Sequence, residues 1–179
     1  MVTRAPAGLR WLATALALAA CAALVGCSGV ATTAKRGSEV ATATPTPAPK
    51  PPTTEQIQAA FKTAGLPIDG YTVFTVENDD NHLLGRPNQY VAKMSWHDSR
   101  LRAPLHPGDL TVEDGGSIEI FAAAADRAPR EKYVHATTSA VSAFAEYEYD
   151  VGEFAFLRLT HFLTPDQAAA YKAALAGTA

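Results

Sequence analysis

Both cysteines of this 179-residue chain, Cys21 and Cys27, precede residue 28. Whatever folds after that point does so without a disulfide, a thiolate metal site or a cysteine nucleophile. Such a stretch holds together only by burying apolar surface. With 47% hydrophobic residues over this length, the chain can supply the core of one domain, not two enzymatic halves.

The segment around the cysteines carries its own pattern. Arg4 and Arg10 form a short basic region, and an uncharged Ala- and Leu-rich run follows from Trp11 to Val25. Its 15 residues fall short of the ~20 needed to cross ~30 Å of hydrocarbon. They match the apolar part of an export signal. The run ends at Leu24-Val25-Gly26-Cys27: a branched apolar residue, two small or slim ones, then cysteine. This resembles the lipobox of bacterial lipoproteins. The resemblance implies cleavage before Cys27, so that residues 1–26 are the signal, and a diacylglyceryl thioether on the Cys27 sulfur. A free thiol near a signal cut is the plainer alternative. Two acyl chains anchor a protein stably where one binds only marginally, so the first expected partner is the membrane, met through lipid on Cys27 at the extracytoplasmic face.

Charge limits the other partners. The chain has a formal net charge of −3, and loss of residues 1–26 removes two arginines and no acid, leaving −5. Nucleic-acid binding needs a basic face and is disfavoured. Anionic lipid offers an acidic surface no electrostatic help.

Residues 27–52 hold no aromatic residue and no apolar periodicity, and end in Pro45, Pro47, Pro49, Pro51 and Pro52. Such composition cannot bury enough surface to offset its ordering entropy. A disordered tether is expected, stiffened towards polyproline II at its Pro-rich end. A Pro-rich ligand for another domain is the alternative. Thr-rich character would also suit glycosylation.

Residues 53–179 read as one globular α+β domain. Thr53 with Gln56 starts a helix whose Ile57, Ala60 and Phe61 share a face, and Gly65 and Pro67 end it. Tyr71 to Val76 reads as a strand. A polar loop leads to Tyr90–Trp96, where Tyr90, Ala92, Met94 and Trp96 alternate with Val91, Lys93 and Ser95. Residues 97–116 form a long loop, with room for a short strand at Leu110–Val112. Ser117–Phe121 is a strand. Asp126 suits an N-cap, Pro129 a first turn, and Tyr133, Ala136, Ala140, Val141 and Phe144 then follow helical spacing. Tyr147–Asp150 and Glu153–Thr160 form a hairpin, and Thr164-Pro165-Asp166-Gln167 opens a last helix ending near Gly177. This order predicts a mostly antiparallel sheet of about five strands in a two-layer domain, with two to three helices mainly on one face and the other face wet.

Four stretches, Asn81-His82-Leu83-Leu84-Gly85-Arg86-Pro87, Trp96-His97-Asp98-Ser99-Arg100, Gly115-Gly116-Ser117-Ile118-Glu119-Ile120-Phe121 and Leu163-Thr164-Pro165, are similar to a group of small uncharacterised actinobacterial lipoproteins. That resemblance implies an exported, anchored, non-enzymatic protein, and it brings no catalytic residues with it.

Chemistry-bearing patterns are sparse. A calcium loop starting at Glu77 would need Gly at its sixth position and Glu at its twelfth, where His82 and Asn88 stand. His82, His97, His106, His135 and His161 form no HxH or HExxH pair, so no metal is expected. His97 beside Asp98, and His106 near Asp109, lack a nucleophile elbow at Ser95, Ser99 or Ser117. No Gly-rich phosphate loop is present, and no cofactor is expected. Two interaction sites are predicted. One is a polar groove on the open sheet face, built from Lys93, His97, Glu119 and Arg158, with a plain solvated face as the alternative. The other is the loop carrying Asp79, Asn81, His82 and Arg86. The favoured function is a non-catalytic envelope interaction or accessory protein that meets a protein or wall component. A small ligand-binding or sensory lipoprotein and a wall-directed hydrolase are the competing readings.

Overall fold

In a computed structural model of the chain, residues 49–178 are described; Cys27, the signal and most of the expected tether lie outside the described residues. Local chemistry starts each helix. In α1, Thr54–Thr63, the Thr53 hydroxyl accepts from the Gln56 amide at 3.3 Å while the Gln56 side chain accepts from the Thr53 amide at 2.8 Å. Thr164 and Gln167 repeat this reciprocal cap at α3, Pro165–Ala174, with Pro165 where a free amide would go unused. Gly65, at φ +67°, turns the chain after α1.

Five strands form one antiparallel sheet: β1 (Ile68–Val73), β2 (Tyr90–Asp98), β3 (Gly115–Phe121), β4 (Glu146–Val151) and β5 (Ala155–Thr160), in the order β1-β2-β3-β5-β4. Helix α2, Ala124–Ala140, carries the chain from β3 to the far edge, and short 3-10 turns occupy Val112–Asp114 and Ser142–Phe144. The α+β class and the antiparallel five-stranded sheet agree with expectation.

One sheet face is the core. Met94, Trp96, Ile118, Ile120, Leu157 and Leu159 lie under Ile57 and Phe61 of α1 and Ala168, Tyr171 and Leu175 around α3. The rings of Phe61, Trp96 and Tyr171 pack in tilted and edge-to-face pairs at 4.9 to 5.5 Å between centroids. The Tyr171 hydroxyl donates to Asp98 Oδ2 at 2.8 Å, whereas the buried Trp96 Nε1 finds no hydrogen-bond partner among the described residues.

The opposite face departs from expectation. It is not wet: Lys93, Ser95, His97, Ser117 and Glu119 are all buried. Helix α2 and the 74–89 loop cover it, with Phe74, Leu84, Tyr90, Phe121, Val134 and Phe156 in a second, smaller cluster. Alternation distinguishes polar from apolar positions and cannot tell a solvated charge from one that will be paired beneath a helix.

Several boundaries also shift, each for a local reason. β1 begins three residues earlier than predicted and stops at Val73, because the Asn78 side chain captures the Thr75 amide at 2.6 Å in a turn. Tyr90 is buried as expected, but on the face of Lys93 and not that of Met94. The register passes from Tyr90↔Phe121 to Ala92↔Ile120, so Val91 is the extra residue of a bulge, and the bulge inverts the parity beyond it. Leu110–Val112 is no strand; Asp114 accepts from the Thr111 amide at 2.8 Å and closes a 3-10 turn. Helix α2 starts at Ala124 with Ala123 extended as its N-cap, which places Asp126 in the first turn and Pro129 beyond it. Its inward stripe is Arg130, Val134 and Thr138, one position off the apolar spacing, and Tyr133 points to solvent. Against a charged sheet face, the helix turns its charged and hydroxyl side inward.

Candidate functional site

The polar face is assembled from ion pairs contributed by separate elements. Asp79, delivered by the 74–89 loop, accepts four bonds: from the amides of Leu83 and Leu84, the Tyr90 hydroxyl at 2.6 Å and the Lys93 ammonium at 2.8 Å. Burial opposes charge on Asp79, but Lys93, Tyr90 and the two amides outweigh it and hold the carboxyl well below the usual carboxylate range. Burial, and then the Asp79 carboxylate, push the Tyr90 phenol far up. The Lys93 ammonium also lies 4.0 Å from the centre of the Phe74 ring.

Next to this pair, Glu119 has no exposed surface. Arg130 of α2 grips it with Nε and Nη2 at 2.8 and 2.7 Å. Arg158 of β5 makes the same two-bond fork with Glu146 of β4, at 2.8 and 2.6 Å, and its Nη1 stands 3.9 Å from Glu119. Planar guanidinium and carboxylate match in such forks, which fix orientation as well as charge. On the same flank, the Thr138 hydroxyl donates to Glu148 at 2.6 Å, and His135 Nδ1 lies 3.2 Å from the other Glu148 oxygen.

Above these pairs opens a cleft of about 240 Å³ between α2, the Ser142–Phe144 turn and the β4–β5 end of the sheet. Arg130, Arg158 and Glu146 line it with Asn81, Thr137, Thr160 and His161, and the side chains of Tyr133 and Phe144 form part of its wall. Tyr133 is 65% exposed and Phe144 52%. His161 Nδ1 donates to the Ala145 carbonyl at 3.0 Å. A second cleft of about 560 Å³ lies beside the first. Glu113 lines both, while the stacked rings of His161 and Phe162, 4.1 Å apart, line one each. Leu105, 73% exposed, borders the second.

The predicted groove residues do not all converge. Glu119 and Arg158 belong to this site. Lys93 pairs in register with Glu119, yet its ammonium turns away to Asp79. His97 lies at the far end of β2, with Nδ1 2.6 Å from Asp69 and Nε2 3.1 Å from the Arg102 carbonyl. Of the predicted loop, Asn81 reaches the cleft and bonds the Tyr90 hydroxyl at 3.3 Å, Asp79 is a buried anchor, and His82 and Arg86 face solvent away from the cleft lining. His82, at φ 53°, takes the left-handed turn geometry. Sequence reasoning missed Arg130, Tyr133, Phe144 and Glu146. The one available signal was the i, i+4, i+8 spacing of Arg130, Val134 and Thr138.

Among the described residues, no three His, Cys, Asp or Glu side chains group to hold a metal ion, and no helix is long and apolar enough to cross a membrane. No known protein family, no curated protein and no solved structure matches the chain.

Proposed function

We propose that this chain is an exported lipoprotein, held at the extracytoplasmic face of the cell membrane through acyl chains on Cys27, and that its domain is a non-catalytic binding module for an envelope component. The anchor rests on the Leu24-Val25-Gly26-Cys27 pattern behind its basic and apolar segments. The observation that carries the binding role is the cleft between α2 and the β4–β5 end. Its two guanidiniums are already engaged by carboxylates, and its rim presents two exposed aromatic rings. Groups so engaged serve as rigid recognition elements and not as a general base or nucleophile. A volume of about 240 Å³ lies just under the ~300 Å³ at which pockets begin to enclose a small molecule. It suits one part of a larger partner.

Two measurements test this. Metabolic labelling with a palmitate analogue marks the wild-type chain and not Cys27→Ser, and the variant leaves the membrane fraction; label that survives the substitution overturns the anchor. The full chain carrying Cys27→Ser, and so lacking lipid, co-sediments with isolated envelopes. Tyr133→Ala with Phe144→Ala abolishes most of that co-sedimentation. Equal sedimentation of both chains overturns the cleft as the binding site.

A further inference from the structure

We infer that the cleft takes a neutral glycan strand, which runs from the Tyr133–Phe144 rim past Glu113 into the neighbouring cleft. This rests on the reading of the cleft as the binding site and adds the chemistry of its occupant.

Charge is the first argument. Arg130 is neutralised by Glu119, and Arg158 by Glu146. Among the described residues, Glu113 makes no ion pair, and it lines both clefts. In the first cleft a phosphate, carboxylate or sulfate meets no unpaired cation and one unpaired anion, and in the second Arg102, the one arginine there without an ion pair among the described residues, stands among Asp109, Glu113 and Asp114. An anion at Arg130 or Arg158 would have to share a guanidinium whose charge a carboxylate already balances, or displace that carboxylate and leave it without its partner. A ligand without charge keeps every pair intact.

Surface character is the second. Tyr133 and Phe144 expose large apolar faces beside forked, immobilised polar groups. A pyranose ring has the complementary build: a C–H face that packs on an aromatic ring, and a rim of hydroxyls that donate and accept. The forks leave hydrogen-bonding capacity to meet those hydroxyls. Each Glu146 oxygen keeps a free lone pair, and Arg158 Nη1 is not consumed by Glu146. Groups locked in place lose little entropy on binding.

Extent is the third. The two clefts share Glu113, and Phe162 and Leu105 expose further apolar surface along the second, at 62% and 73%. Apolar platforms repeated along a trough suit a polymer of rings better than one ring.

The test uses the full chain with Cys27→Ser, observed by amide NMR and calorimetry. The probes are three neutral hexasaccharides, built from β-linked N-acetylglucosamine, β-linked glucose and α-linked mannose, with their monosaccharides and hexagalacturonate. The expected result is that at least one neutral hexamer perturbs the amides around Tyr133, Phe144 and Glu113. It binds at least about tenfold tighter than its monomer, and Tyr133→Ala with Phe144→Ala weakens it by about tenfold or more. Both side chains are exposed, so the variant keeps its fold, and its unfolding midpoint checks this. Failure of all three neutral hexamers at about 5 mM, or tighter binding of hexagalacturonate, overturns the inference. If envelopes are still retained through Tyr133 and Phe144 while no sugar binds, the cleft remains the binding site for a protein and the glycan assignment alone falls. If a hexamer binds without perturbing the cleft, both fall.

Discussion

Arg130 and Glu119 close a two-bond fork, at 2.8 and 2.7 Å, between helix α2 and the centre of the sheet, where the carboxylate has no contact with water. The pair works as a fastener whose halves are costly alone. Arg130→Met strands the carboxylate beneath α2 with only Arg158, 3.9 Å away. The expected loss is about 3–5 kcal/mol. Arg130→Met combined with Glu119→Leu recovers most of it, because two well-packed apolar groups can replace a buried ion pair at little net cost. Urea unfolding of the two single variants and the double variant gives the coupling directly.

Asp79 makes an acid-sensitive counterpart. Lys93, Tyr90 and the amides of Leu83 and Leu84 overcome its burial and hold its carboxyl far below the ordinary value. A depressed native pKa contributes stability that is present above the unfolded value, about 3.9, and is lost as pH falls towards the native one. Thermal midpoints measured from about pH 6 down to pH 2 should therefore fall, and Asp79→Asn should flatten that slope. The variant also leaves the Lys93 ammonium buried without its anion, and should be destabilised by about 3 kcal/mol at neutral pH.

His97 has the opposite sign. Burial alone lowers its pKa, but the Asp69 carboxylate and the Arg102 carbonyl, with Asp114 nearby, raise it overall. Both ring nitrogens face acceptors, an arrangement that only the imidazolium satisfies. Its contribution is complete below the unfolded imidazole value of about 6.5 and is lost as pH climbs through the higher native one. Urea midpoints should decline across that window in the wild type and much less in His97→Asn. Titration of the His97 ring by NMR locates the step.

Gly116 sits where β3 passes over Trp96. A Cβ there would overlap the Trp96 indole and come 2.6 Å from Leu159 Cδ2 and 2.9 Å from the Arg158 carbonyl. Backbone on one side and a buried ring on the other leave no direction for relief. Gly116→Ala should cost about 1–3 kcal/mol through overpacking, whereas Gly177→Ala, with nothing within 4 Å, serves as the neutral control. Chemical denaturation separates the two.

What the sequence made legible was what neighbours in the chain decide. Thr53 with Gln56 and Thr164 with Gln167 mark helix starts by themselves, and the alternation of Met94 and Trp96 marks a half-apolar strand. Distant pairing is a different matter. Glu119 and Arg130 are only 11 positions apart, yet nothing local shows that α2 folds back over β3; Lys93 and Asp79 meet only because the 74–89 loop doubles over β2. A charge inside a strand therefore looks solvated until its partner is placed. The single extra residue at Val91 likewise reverses Tyr90, and no composition rule foretells which residue a bulge will hold. Glu119 and Arg158 were readable as site residues because both are charges within apolar strands, while His97 shares that description and serves the opposite end.

The two flanks of the sheet are fastened by different means. Ile57, Phe61, Ala168, Tyr171 and Leu175 on one side bury hydrocarbon and rings, whereas Val134 is the single apolar side chain that α2 buries. Lifting α2 away uncovers Val134 and its share of the smaller second cluster, against the larger cluster beneath α1 and α3, so such an opening changes heat capacity and denaturant sensitivity less than loss of α1 or α3 does. Amide exchange in α2 should accordingly respond less to added urea than that of α1 and α3. One sheet thus carries a protein interior on one side and, on the other, a joint put together like the contact between two separate molecules.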